Sequence, residues 1–147
     1  MVRTAYKTIP LLTILGIVGC STHAPEPLDA AADFHDVSIY LRGDMNGWQA
    51  LREYRLQRVS PHLYSVAGRL RHTYGTYKFK FADAEWTCGY NYGAADGGHA
   101  QLQAGNKVAV TPCNTYGELA FTPSSDGVYH FYLDLRGASP QVFVQPH

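Results

Sequence analysis

From about residue 37 onward, the chain repeats one pattern: short runs in which apolar and polar side chains alternate, broken by Gly, Pro, Asn and Asp. The runs are "VSIYLRG", "EYRLQRV", "HLYSVAGRL", "TYKFKFAD", "KVAVTP", "YGELAFT", "GVYHFYLDL" and "QVFVQP". A period of two sends successive side chains to opposite faces of an extended strand, so each run is half-buried. Short strands rich in Val, Tyr, Phe and Thr at this spacing predict an all-β antiparallel sandwich or barrel. In "TYKFKFAD", Tyr77, Phe79 and Phe81 share the core face, and Lys78 and Lys80 point outward. If the chain stayed extended, Trp86 would lie on the lysine side, unless a turn at "ADAE" breaks the parity. The stretch "GYNYGAADGGHAQLQAGN" carries no alternation and is expected to be irregular. No helical stripe of period 3.6 appears outside the first twenty residues.

Those first residues follow another logic. Arg3 and Lys7 precede the apolar run "IPLLTILGIV", too short for a stable membrane-spanning helix. The run ends in "IVGC", small residues before a cysteine, which resembles the bacterial lipobox. The resemblance implies a signal peptide over 1–19, cleavage before Cys20 and lipidation of that cysteine. Several acyl chains hold a protein on a membrane far better than one. Residue 21 is Ser, not Asp, and by the enterobacterial sorting pattern this directs the protein to the outer membrane. Residues 20–34, with Ala, Pro and Asp and little that packs, read as a tether. About 113 residues are left, one domain over 35–147.

Composition narrows the function classes. Lys plus Arg number 12 and Asp plus Glu number 12, with no basic run, so nucleic acid is not an expected partner. Two cysteines besides Cys20, Cys88 and Cys113, have neither CxxC nor His/Cys spacing. In an oxidising envelope such a pair forms a disulfide, worth roughly 3–4 kcal/mol by chain entropy. Seven histidines show no HxH or HExxH spacing, so no metal site and no cofactor is expected. "DMNG" opens like a calcium loop but lacks its closing glutamate. Asp44, Asp83 and Glu85 sit near turns, where carboxylates cap backbone, and no cleft for a carboxylate pair is evident, so an enzyme is not expected.

Three pieces in order, "YLRGDMNGW", "YKFKFADAEW" and "GELAFTPSSDGVYHFYLDLRGASPQVFV", resemble an early-set immunoglobulin-like domain. More narrowly they resemble the glycogen- and starch-binding modules of carbohydrate-binding family 48, over residues 36 to 145. The resemblance implies an immunoglobulin-like β-sandwich of about seven to nine short strands. It also explains "RGD" (Arg42 to Asp44) as a strand end and turn, not an integrin motif. In the sugar-binding members two tryptophans form a platform for glucose rings, and a lysine and an asparagine bind hydroxyls. By position Trp48 and Trp86 match the tryptophans, and Lys80 or Lys78 the lysine. The asparagine, placed before the final strand, has no direct match in "RGASPQVFV", where Gln141 is the one available amide.

Three functions therefore stand from the sequence. One is non-catalytic binding of α-glucan or a related glycan through Trp48, Trp86, Lys80 or Lys78, and Gln141. A second is a protein-interaction or scaffolding module of an envelope complex that keeps the fold without the sugar site; for the tryptophans themselves, packing (Trp48 over the open end of the sandwich, Trp86 on the disulfide) and a protein-contact surface stand beside the glycan platform. An accessory domain acting beside a separately encoded catalytic partner is a third.

Overall fold

The computed structural model describes residue 34 and residues 36–147. The leader expected over 1–19, Cys20 and all but the last residue of the tether lie outside the described residues. The described chain contains ten strands, no α-helix, and three single-turn 3-10 segments.

One sheet is ordered β2 (Gln57–Ser60), β3 (Leu63–Leu70), β9 (Gly127–Asp134), β10 (Gln141–Pro146) and β7 (Val108–Thr111). The other gathers β1 (Tyr40–Gly43), β5 (Asn91–Ala94), β6 (Ala100–Leu102) and β8 (Leu119–Phe121) around β4 (Tyr77–Ala82). Alternate residues of the facing strands close on each other. Phe79 of β4 meets Phe131 of β9 edge-on, ring centroids 5.0 Å apart, and Phe121 of β8 meets Phe131 at 6.4 Å. Edge-to-face rings let large aromatics fill a core without opposing their quadrupoles. Leu41, Phe81, Leu133, Val142 and Val144 complete a dry centre. The fold is the β-sandwich that the alternation allows and, as the resemblance implies, of the immunoglobulin-like kind, with ten strands where about seven to nine were expected.

All eight alternating runs contain a strand. The structure corrects the expectation for the intervening stretch: β5 and β6 both form within "GYNYGAADGGHAQLQAGN". They arise from pairing rather than pattern. β5 pairs Tyr92 with Phe81 and Ala94 with Val110, joining the two sheets through β4 and β7. β6 runs parallel to β8, an exception to the expected antiparallel order. The disulfide between Cys88 and Cys113 is present, across a sequence separation of 25.

β4 is the hub that positions the site. Along one edge, Phe79 to Ala82 pair with Gly43 to Tyr40 of β1. Its other edge pairs with β8 as far as Phe79 and with β5 from Phe81. Lys80 sits at this handover, directly opposite Arg42. The two strands approach so closely that a Cβ on Gly43 would lie 2.7 Å from Phe79 Cβ, which is why glycine ends β1.

Candidate functional site

β1 runs straight into the turn that carries Trp48. Asn46 ties this turn off: its Oδ1 accepts from Gly43 N at 3.0 Å, and its Nδ2 donates to Leu41 O at 2.8 Å. Asp44 uses both carboxylate oxygens, accepting from Trp48 Nε1 at 3.1 Å and from Lys78 N at 2.7 Å. The "DMNG" oxygens are thus engaged in hydrogen bonds that aim an indole.

Trp86 sits in the turn after β4, where Asp83 Oδ1 caps Thr87 N at 2.8 Å. Both tryptophans adopt left-handed backbone, with φ of 64° at Trp48 and 59° at Trp86. That region disfavours bulky side chains, by roughly 1 kcal/mol or more each, and such strain clusters at functional positions. The strain is sustained by Arg42. Its Nε donates to Trp48 O at 2.8 Å, and its Nη1 donates to Asp83 O at 2.8 Å and Ala84 O at 3.0 Å. Its guanidinium carbon also lies 3.7 Å from the Trp86 ring centroid. One buried arginine, 8% exposed, thereby binds both tryptophan turns together. Burial lowers its pKa, with Asp83 and Glu85 acting to raise it.

The result is a half-buried aromatic corner, with the two indoles 6.3 Å apart and tilted by 39°. They line one cavity of about 670 Å³ together with Lys80 and Asn91. Thr115, Tyr116, Glu118 and His99 line it as well. Tyr116 projects into solvent, 82% exposed, from a turn organised by Asn114, whose Oδ1 accepts from Tyr116 N and Gly117 N at 3.0 and 2.6 Å. The cavity's size falls in the range of small-molecule sites, which combine apolar walls with a few fixed polar groups.

Sequence parity places Lys80 correctly on the non-core face but not in water. The structure corrects that expectation: Lys80 is 2% exposed, because the 114–117 turn crosses over it and Asn114 O accepts a hydrogen bond from its Nζ. The stem passes over Gly93, where any Cβ would meet Lys80 Cε at 3.1 Å. Burial lowers the Lys80 pKa, partly offset by Glu118, and its ammonium lies 5.9 Å from the Trp86 centroid. Lys78 does face solvent and pairs with Glu118 at 3.0 Å. Gln141 opens β10 between Asp134 and Ala109 and does not line the cavity, so the structure does not bring it to the tryptophans.

Arg42, Asn91, Tyr116 and Glu118 were not singled out by sequence reasoning as site residues. The turn-rich "CNTYGE" following Cys113 was the available signal for the latter pair.

No family model matches the chain, and comparison with curated protein sequences gives no match. Among solved structures the chain is similar to a starch-binding domain, AmyP-SBD, in its ligand-induced structure. The TM-score is 0.57 at 16% identity, covering 93% of this chain and 95% of that one. The likeness extends over nearly the whole of both chains and is one of fold.

Proposed function

We propose that this domain is a non-catalytic glycan-binding module of the family-48 type that takes α-glucan between Trp48, Trp86 and Lys80. The observation that carries the proposal is the aromatic corner itself: two indoles from separate turns, each on left-handed backbone, lining one cavity with a buried ammonium. The fold shared with a starch-binding domain adds support. An indole stacks on the apolar C–H face of a pyranose, while Lys80 and Glu118 offer a donor and an acceptor to the hydroxyls. Rings tilted by 39° suit sugars turned relative to one another, as in a curved α-linked chain, better than a flat β-linked ribbon. Within this proposal the chain is an envelope lipoprotein, anchored to the outer membrane by lipid on Cys20.

Titration of intrinsic tryptophan fluorescence with maltoheptaose, together with retention on amylose, tests the glycan part. Trp48→Ala and Trp86→Ala each weaken binding about 30-fold or more, the cost of losing a central aromatic contact. A folded, disulfide-intact domain that binds no α-glucan overturns the proposal and favours the protein-contact module. Incorporation of a labelled fatty acid, lost in Cys20→Ser, tests the anchor.

A further inference from the structure

Among the described residues three large apolar side chains are well exposed, Val59, Tyr74 and Tyr116. Val59 lies on the edge strand β2, and Tyr74 stacks on Tyr77 with ring centroids 4.4 Å apart. Tyr116, the most exposed of the three at 82%, is the one that lines the cavity of the two tryptophans. The turn beneath it does not need the ring. Asn114 donates from its N to Asn91 O at 3.1 Å and from its Nδ2 to Ala94 O at 2.7 Å. Gly117 O accepts from Ala94 N at 3.1 Å, and Asn114 O accepts from Lys80 Nζ. Tyr116 joins this set through its backbone N alone. Glycine is required at 117, where a Cβ would meet Asn114 Nδ2 at 2.5 Å, whereas position 116 is open to solvent. The fold thus fixes a tyrosine at the rim of an aromatic cavity and buries almost none of it.

Volume supplies the use. A glucose residue at the packing density of a protein interior fills roughly 180 Å³. The cavity of about 670 Å³ therefore has room for about three. Two indoles stack two pyranose rings and leave a third with no apolar face of its own. We infer that Tyr116 is a specificity-determining residue, its ring the third stacking face, and that the site reads about three consecutive glucose residues. Tyrosine suits this position: it offers a broad apolar face at the cost of ordering two torsions, and its hydroxyl stays free to bond the rim of a sugar. The turn is pinned to β5 and Lys80, and Cys113 beside it is bridged to Cys88, two residues from Trp86. The ring is therefore placed before any ligand arrives, and little backbone ordering accompanies binding. The ligand class is accordingly a chain of at least three α-linked glucose residues, maltose being too short to cover all three faces. The inference rests on the glycan-binding proposal and deepens it.

The test is affinity for maltose, maltotriose and maltoheptaose, measured by tryptophan fluorescence on wild type, Tyr116→Ala, Tyr116→Phe and Trp48→Ala, with the thermal midpoint of each. Wild type binds maltotriose about tenfold more tightly than maltose, and maltoheptaose within about threefold of maltotriose. Tyr116→Ala binds maltose as wild type does but loses the gain on passing to maltotriose. Tyr116→Phe keeps that gain, because stacking needs the ring and not the hydroxyl. Both Tyr116 variants melt within about 2 °C of wild type, since the side chain is exposed. If Tyr116→Ala binds every length as wild type does while Trp48→Ala binds none, the Tyr116 inference falls and the glycan proposal stands. If Tyr116→Ala weakens maltose and the longer chains equally, the third face falls in the same way. If Tyr116→Phe behaves like Tyr116→Ala, the stacking role is overturned. If wild type itself binds no glucan, both the inference and the proposal fall.

Discussion

Arg42→Lys is the sharpest perturbation of the site, because it keeps the charge and removes the fork. Arg42 donates to three backbone carbonyls, those of Trp48, Asp83 and Ala84, and stacks against Trp86. A hydrogen bond from a charged donor is worth about 1.5–3 kcal/mol, less where its partner retains contact with water. A lysine reaches one of these carbonyls and not three, and its ammonium lacks the planar face that lies on an indole. Two lost bonds with partly exposed partners, plus a weakened cation–π contact of about 0.5–1 kcal/mol, amount to about 2–4 kcal/mol. For a domain of this size that lowers the thermal midpoint by roughly 8–15 °C. Calorimetry measures it directly. The same variant releases the common anchor of the Trp48 and Trp86 turns, so maltoheptaose affinity falls by about tenfold or more. A lysine variant that melts within about 2 °C of wild type and binds glucan equally refutes the bracket role of the guanidinium.

Three further outcomes follow from the same contacts. Gly93→Ala drives a Cβ into Gly117 O and against the Lys80 stem, so binding weakens about tenfold and the 114–117 turn loses protection in hydrogen exchange. Replacing both bridged cysteines, Cys88→Ser with Cys113→Ser, lowers stability by about 3 kcal/mol in denaturant titration. Because the bridge sits two residues from Trp86 and adjoins Asn114, the double variant also weakens glycan binding, and unchanged affinity would separate the bridge from the site. Asp134 is held well below the usual carboxylate range, chiefly by hydrogen bonds from Arg136, with Lys107 adding and burial opposing. A folded value below the unfolded one stabilises fully above about pH 4 and is lost as the pH falls toward the folded value. Acid unfolding of Asp134→Asn is therefore shallower below about pH 4 than that of wild type, and superimposable profiles would contradict this ion-pair assignment.

The sequence alone determined eight of the ten strands and the turn that carries Trp48. Alternation is a property of neighbouring residues, and each strong run announces which face meets the core whatever it pairs with. The Cys88–Cys113 pair was legible because neither cysteine has metal or redox spacing, and the Asn-Gly-Trp turn by its local chemistry. What tertiary structure decided was everything set by an edge or a cover. β5 and β6 have no pattern of their own and exist because β4, β7 and β8 offer backbone partners. Parity put Lys80 on the outer face, but only the 114–117 turn, thirty-four residues along, buries it beside Trp86. Arg42 looked like the end of a strand, and Asn91 like part of a loop. Their places depend on distant segments: Arg42 on the carbonyls of Trp48, Asp83 and Ala84 and the ring of Trp86, Asn91 on the backbone of Pro112 and Asn114. Local pattern encodes which way a side chain points; what it meets there is fixed only when remote parts of the chain close over it.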